Sequence, residues 1–571
     1  MHLPTAIIHH HGQGCGRAVR EKPTEGKLAA GDQTPLEAIL PLLVLALAAV
    51  ARLIPAKAYF LNPDEALHFL AASQTSLSLT YRAALTNAHP PLLILILHYW
   101  KMLSQSEFIL RMPSVLAGVA GCWLFYLWLS EIRDRSVALT GLVLMSFAPS
   151  LIALSAEVRQ YALLLFFVAA CLLLSERAIR NNSWRWMALF SLSLYGALLT
   201  HYSSLLFALS IGIYVLIRLL RMPERRALLA AWALGQAGAI ALIIYFLSTH
   251  VRRLKATGMP QEIAETWLRK SIFHPGEQKL IAFVPVQTLR VFTYLFSHGL
   301  VGTIFLLAFL VGIIVLLRTE ASPVREGPSP KELAVLFILP FLANCAAAIT
   351  GIYPYGGTRH SAILAPFAIA GAAIGLATIN TKTLATRSTL GSLASTLLPV
   401  AILLGLCNFF PAPPPLIKAK NHSDHLIKAA IDYLHQNARP GSVVFADYES
   451  GLLLGYYGCG HGIVQIFPPV DRFARRDCGS YTTISARPEE WRFSAGNLRG
   501  ELQSAAASNQ LPAGTKVWLF DAGWINDLAP AISRGTDCVG PRFFGENILI
   551  CQLTVAQNAP QPTPSAGEIP R

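Results

Sequence analysis

Two acids side by side, Asp64 and Glu65, follow Asn62-Pro63 where the first long apolar run of the chain has just ended. Like-charged carboxylates beside apolar walls have their pKa values pushed apart, which suits one of them to act as a base. The same four residues also read as a helix cap, with Pro63 in the turn and the acids in the first turn of the helix that follows. Further along lie His89-Pro90-Pro91, Glu107 with Arg111, Glu157-Val-Arg159-Gln-Tyr161, His201-Tyr202 and Thr358-Arg359-His360, each next to a greasy stretch. Arg252, Arg253 and Lys255 form a basic cluster that reads either as a phosphate clamp or as a patch facing lipid head groups. Glu157 and Arg159 read either as a second acid with a neighbouring cation or as a structural ion pair. Asp64, Glu65, His68 and His89 are also of the types that ligate a metal, so a divalent cation is an open expectation.

These residues need a frame, and composition supplies it. Of 571 residues 53% are hydrophobic and only 14% charged, with a mean hydropathy of +0.47, which excludes a soluble enzyme of this size and implies a polytopic α-helical membrane protein. The formal charge of +14 is spread in short clusters between apolar runs, with no concentrated basic face, so head groups and not nucleic acid are the expected partner.

The first span is expected over Pro35 to Pro55, and the rest near Met112 to Ser130, Val137 to Ser155, Tyr161 to Leu174, Met187 to Thr200, Ser203 to Leu219, Ala227 to Leu247, Leu300 to Leu317, Leu333 to Ile349, Ser361 to Ile379 and Thr389 to Phe409. Pro90 to Leu103 falls short of the ~17 to 25 residues of a spanning helix and carries His98 and Lys101, so it reads as a helix lying at the interface, with Leu67 to Leu79 as a second one. With that choice, about eleven spans result. Basic loops such as Arg133/Arg135, Arg177/Arg180/Arg185 and Arg218/Arg221/Arg225/Arg226 then all face the cytoplasm, as the positive-inside rule asks. Asp64, Glu65, His89, Arg111, Glu157, Arg159, Tyr161, His201, the loop from Ser248 to Gln287, Arg359 and His360 gather on the outer side.

The expected organisation is a cytoplasmic tail over 1–35, a membrane domain over 36–410 whose outer loop 57–111 carries the chemistry, an α/β domain over 411–555 and a disordered tail over 556–571. Pro411 to Pro415 makes the connector. His422 to Gln436 reads as a helix; Ser442 to Ala446, Lys516 to Phe520 and Ile548 to Thr554 read as strands. An inside N-terminus with an odd span count puts this domain outside the inner membrane. Disulfides are permitted there, such as Cys459 to Cys478 or Cys538 to Cys551. His9-His10-His11 reads either as a metal-binding run or, as is commoner for an isolated run in a polar tail, as a stretch without function.

Taken together, Asp64-Glu65, His89-Pro90-Pro91, Glu107-Phe108 with Arg111 and Pro113-Ser114, Glu157 with Arg159 and Tyr161, and Thr358-Arg359-His360 make the chain, over roughly 36 to 410, resemble the integral-membrane glycosyltransferases of the GT-C fold. The likeness is to the bacterial branch similar to protein O-mannosyltransferases (glycosyltransferase family 39) and to the lipid A aminoarabinose transferase. That resemblance implies a sugar donor linked to polyprenyl phosphate and a lipid, polysaccharide or protein acceptor. It implies inverting transfer in the cell envelope, on the outer face of a bacterial inner membrane. Carried over, Asp64 is the base, Glu65 assists it and Glu157 is a further acid. His89, Arg111, Arg252, Arg253, Lys255 and Arg359 are the groups available to the departing phosphate, with Arg159, Tyr161, His201 and His360 around them. Where many relatives have Pro before the Tyr, this chain has Glu157-Val-Arg-Gln-Tyr161. The rival reading is a lipid or polysaccharide transporter, which would set its charges near span centres instead of on one side.

Overall fold

A computed structural model describes residues 35–555 apart from 223, 257–258, 321–326, 384–388, 413–422, 460–472, 487–491, 509, 513, 524–527 and 529–537. The expected tails 1–35 (but for Pro35) and 556–571, the histidine run and most of the proline connector lie outside the described residues.

The chain enters through helix α1 (Pro35–Ala58), then makes three short helices on one side of the bundle, α2 (Pro63–Ala72), α3 (Leu77–Ala84) and α4 (Leu92–Trp100), before α5 (Glu107–Ile132) returns across it. The stretch expected as one helix over Leu67 to Leu79 is two. Ser73 Oγ turns back onto the Phe69 carbonyl (2.8 Å), and Ser76 caps a new start by accepting from Leu79 N (3.2 Å), a local competition that serine side chains offer the backbone. The His98 ring of α4 donates from Nδ1 to the Ala72 carbonyl (2.9 Å), so α4 lies against the end of α2.

Helices α6 (Arg135–Phe147) and α7 (Pro149–Ser155) meet at a 60° bend. Pro149 has no N–H, which strands the carbonyl four residues back. Arg52 of α1 supplies the missing donors, from Nη2 to Met145 O (3.3 Å) and from Nη1 to Ser146 O (2.8 Å), and Asn408 Nδ2 reaches Phe147 O (2.9 Å). A buried arginine is thus spent on a broken helix, as non-helical backbone at membrane depth requires.

Among the described residues seven helices are long and apolar enough to cross a membrane, and the bent pair makes an eighth, against the about eleven spans expected. The difference lies in Trp184–Leu198 (15 residues) and Ser204–Leu220 (17 residues), which are helical but shorter than the ~20 residues of a full crossing, and in Thr389–Phe409, which is helical over 21 residues as expected and whose side chains are described from Ser395 on. One helix was not foreseen. Leu280–Phe296 begins inside the segment expected as a loop from Ser248 to Gln287. It buries Phe283, Gln287, Val291, Phe292, Leu295 and Phe296, a helical stripe that the polar residues between them disguise. At the other ends of the helices that lead to the site, Arg218 is buried against Glu176 (2.9 Å), tying Ser204–Leu220 to helix Tyr161–Arg180.

The C-terminal domain is a six-stranded sheet of β1 (Ser442–Ala446), β2 (Phe473–Asp477), β3 (Tyr481–Ala486), β4 (Lys516–Ala522), β5 (Val539–Phe543) and β6 (Ile548–Thr554), in the order β2-β3-β1-β4-β6-β5. β1 runs parallel to β3 and β4, and the remaining pairs are antiparallel. The three strands read from the sequence are the apolar central ones. β2 (FARRD) and β3 (YTTISA) are too polar to announce themselves. Helix Asp424–Asn437 covers the sheet, and Cys459–Cys478 and Cys538–Cys551 both close as disulfides.

Candidate functional site

The first turn of α2 is built to hold its two acids apart. Asn62 Oδ1 accepts from Glu65 N (3.1 Å) and Glu65 Oε2 accepts from Asn62 N (3.0 Å), a reciprocal cap with Pro63 at the first helical position. The cap turns Glu65 inward and leaves Asp64 on the other side.

Glu65 is fully buried, and four hydrogen bonds saturate it. Besides Asn62 N, its carboxylate accepts from Arg111 Nε (2.8 Å), Arg111 Nη2 (2.7 Å) and Val158 N (2.7 Å). Arg111, also fully buried, gives its remaining N–H groups to the carbonyls of Ala56 (2.9 Å), Tyr59 (2.6 Å) and Phe60 (2.9 Å). A guanidinium has five N–H donors. All five are used within the protein, so Arg111 has none to offer a phosphate, contrary to the sequence expectation. Glu65 likewise holds the α1–α2 link, α5 and the 157–159 segment together and has no free lone pair facing the other acid.

Asp64 stands in a different setting, with its side chain 16% exposed. Its Oδ2 accepts from Arg359 Nη1 (2.8 Å) and pairs with Arg159 Nη1 (3.2 Å). Arg159 is set by its neighbours: its carbonyl accepts from Ser114 Oγ of α5 (3.1 Å), and its guanidinium lies 5.9 Å from the Tyr161 ring centre. Around this triad sit the rings of His68, His89, His201, His360, Tyr161 and Tyr353. His89 stacks on His201 at 5.0 Å and lies 6.4 Å from His68; Tyr161 is 5.2 Å from His201 and 6.4 Å from His360. Tyr353 lies 6.2 Å from His360. Glu157 is buried beside them at 1% exposure.

The hydrogen bonds fix two histidine tautomers. His68 Nδ1 contacts the Asp64 carbonyl at 2.6 Å; a carbonyl only accepts, so Nδ1 carries the hydrogen and Nε2 is bare. His201 Nδ1 accepts from Ser203 N (3.2 Å), which places its hydrogen on Nε2. Burial, then the Arg159 charge, pushes His68 down to about 3, and the same causes with Arg359 bring His201 to about 3. Burial also holds His89 well below the ordinary histidine value. All three are neutral at pH 7. A histidine with a depressed native pKa keeps its full contribution to stability above the unfolded value near 6.5 and loses it as pH falls toward the native value. As pH falls from 6.5 to 5, where carboxylates are still ionised, His68 and His201 should each take away stability with a slope that rises toward about 1.4 kcal/mol per pH unit. Thermal unfolding of wild type and His201→Gln across that range checks this: the variant should show a visibly shallower decline, and parallel curves would contradict it.

Two buried polar atoms of this group have no hydrogen-bond partner among the described residues, Arg159 Nε and the Tyr161 hydroxyl, and the same holds for both amide atoms of Gln160, the residue between them, and for Thr358 Oγ1, next to Arg359 along the chain. Such a concentration marks a place built for a polar occupant. Of the residues expected from the sequence, Asp64, Glu157, His89, Arg159, Tyr161, His201, Arg359 and His360 come together here. Arg252, Arg253 and Lys255 do not. They stand exposed on the short helix Arg252–Ala256, close enough for Arg253 to act on Tyr81 and His250, and no hydrogen bond or ion pair joins them to the Asp64 group among the described residues. A metal does not fit the expected set Asp64, Glu65, His68 and His89, because Glu65 is saturated and both acids are paired with arginines. No group of three or more His, Cys, Asp or Glu among the described residues could hold one. His68 belongs with the ring cluster; its spacing of four from Asp64 on one helix face was the available signal.

Residues 88–250 match the family model for dolichyl-phosphate-mannose-protein mannosyltransferases, a stretch that includes His89, Arg111, Glu157, Arg159, Tyr161 and His201. ArnT from Cupriavidus metallidurans, solved bound to undecaprenyl phosphate, shares the fold with a TM-score of 0.50 at 12% identity, over 92% of this chain and 100% of that one. The archaeal oligosaccharyltransferase AglB from Archaeoglobus fulgidus, in complex with an inhibitory peptide and a dolichol-phosphate, aligns with a TM-score of 0.47 at 11% identity, over 85% and 70% of the two chains. No curated protein matches the sequence. The fold is of the GT-C type, as the sequence resemblance implied.

Proposed function

We propose that the protein transfers a glycosyl group from a polyprenyl-phosphate-linked donor to a hydroxyl of a lipid, glycan or protein acceptor, at the outer face of a bacterial inner membrane. The observation that carries this reading is the triad Asp64–Arg159–Arg359, one carboxylate shared by two guanidinium groups, beside the unpartnered Arg159 Nε and Tyr161 hydroxyl. A departing phosphate needs cations aimed at its growing charge, and an attacking hydroxyl needs a base. Both are present within one ion-pair network. The undecaprenyl phosphate bound to ArnT is a lipid of the expected class. The two disulfides of the C-terminal domain fit an oxidising compartment.

In this reaction Asp64 takes the proton of the acceptor hydroxyl, the acceptor oxygen bonds to the anomeric carbon, and the bond from that carbon to the phosphate oxygen breaks. The polyprenyl phosphate leaves with the electron pair, its charge held by Arg159 and Arg359. A single displacement inverts the anomeric carbon. Without donor the two arginines occupy the Asp64 carboxylate. A bound phosphate competes for the same N–H groups and releases the carboxylate, so the base is at full strength only when there is a sugar to transfer. Neutral His68 and His201 add one acceptor and one donor nitrogen for sugar hydroxyls without adding charge.

The test is release of free polyprenyl phosphate from a polyprenyl-phosphate sugar by purified protein in lipid. Arg359→Ala and Arg159→Ala should each weaken donor binding by about 10- to 100-fold, the range for a hydrogen bond to a charged group, with Arg359→Lys restoring part of it. Unchanged donor affinity and turnover in both alanine variants would remove the phosphate site from this place.

A further inference from the structure

The C-terminal domain does not merely hang from the membrane part. Phe60, Leu61, Phe69 and Leu70, from the link before α2 and from α2 itself, share one core with Ile431, Val444, Leu453, Leu454, Tyr456 and Phe520 of the sheet domain. The contact runs along helix Tyr448–Leu453 and the wide helical turn Leu454–Gly458 that continues it, and Tyr59 of the α1–α2 link bridges to Ser423. At Gly455 a Cβ would come within 3.1 Å of the Leu70 side chain, so the backbone of the domain lies directly on α2. Tyr456 packs edge-on against Phe69 at 5.0 Å and donates to the Gln105 carbonyl (2.6 Å).

Tyr457 makes the closest connection to the site. Its hydroxyl accepts from Leu61 N (2.7 Å) and donates to Glu107 Oε1 (2.6 Å); Lys428 of the same domain holds Glu107 Oε2 (3.3 Å). Leu61 is fully buried and directly precedes the cap residue Asn62. The chain between α1 and α2 is therefore suspended at both polarities: the carbonyls of Ala56, Tyr59 and Phe60 on Arg111, the amide of Leu61 on Tyr457. Three residues beyond that amide stands Asp64. Burial and the Glu107 charge hold the phenol well above its ordinary pKa, so it keeps its proton and stays a donor.

We propose that Tyr457 is a positioning residue: through its hydroxyl the C-terminal domain fixes the start of α2 and so aims the Asp64 carboxylate, which makes that domain part of the reaction machinery. The consequence for turnover rests on the glycosyl-transfer reading above; the consequence for the backbone does not. Removing the hydroxyl leaves a buried N–H unpaired and a carboxylate short of one donor, a local loosening at residues 57–66.

Tyr457→Phe in the full-length protein in lipid tests this in two readouts. Amide hydrogen exchange over residues 57–66 should quicken by about tenfold or more while β1, β4 and β6 keep their protection. Turnover should fall about tenfold with donor KM unchanged, since the donor's arginines are untouched. Glu107→Gln, which keeps an acceptor for the hydroxyl but weakens it, should move both in the same direction by less. Unchanged exchange at 57–66 overturns the proposal, as does faster exchange with full turnover or a loss confined to KM. If wild type transfers no sugar, the glycosyl-transfer reading fails, and the exchange result alone still decides whether Tyr457 fixes the start of α2.

Discussion

Replacing Arg111 with Ala is expected to unfold the outer loop of this protein rather than to weaken a ligand. The substitution leaves the Glu65 carboxylate buried with two of its four donors gone, and it strands three carbonyls, those of Ala56, Tyr59 and Phe60. Removing one member of a buried pair destabilises by about 3–5 kcal/mol, because the other charge stays behind unpaired. Arg111→Lys should recover only a part, since an ammonium cannot present the planar fork that grips both carboxylate oxygens. Changing both members, Glu65→Gln with Arg111→Met, should do less damage than Arg111→Ala alone, as no buried charge is then left over. Thermal unfolding in detergent reads all three. The competing expectation, that Arg111 meets the donor phosphate, requires the alanine variant to keep its melting temperature and lose donor affinity.

Arg111 also shows where reading the sequence stops short. Its position, opposite the acidic pair and at the start of a span, was legible, and so was its involvement with the loop. Whether its partner is a carboxylate of the chain or a phosphate of a ligand depends on which way one helical turn faces. That is decided by the Asn62–Glu65 cap, and the motif reads alike in both cases. The same turn separates Asp64 from Glu65, two acids indistinguishable in sequence and opposite in surroundings. The gathering of Glu157, Arg159, Tyr161, His201, Arg359 and His360 was legible because charge bias placed their loops on one side, and the structure draws them around Asp64. Arg252, Arg253 and Lys255 share that side by sequence, yet their helix stands away from the group, since side is all that loop charge reports. Helix Leu280–Phe296 was hidden by Gln287, Thr288 and Arg290 within its apolar stripe. Tyr457 carried no signal: a tyrosine in the C-terminal sheet domain, 350 residues from Glu107, has nothing local to mark it.

Asp64→Asn is expected to lower transfer by the ~10² to 10⁴ that one general base contributes, in a protein that folds and melts as wild type does. The shape is kept, and the amide oxygen stays as a weaker, neutral acceptor for the buried Arg159 and for Arg359, so far less is lost than in Arg111→Ala, which removes five donors at once. Donor affinity should hold or rise, because the asparagine no longer competes with phosphate for Arg159 and Arg359. That combination of lost turnover with retained or tightened donor binding separates a base from a phosphate ligand, whose removal would weaken binding. Glu65→Gln provides the contrast: it should lower the melting temperature through the Arg111 network and reduce turnover only as far as the loop loosens. Measuring turnover, donor affinity and melting on the three proteins in the same lipid settles the assignment. Full turnover in a folded Asp64→Asn protein would exclude Asp64 as the base and leave Glu157, buried among the same rings, as the acid to test next.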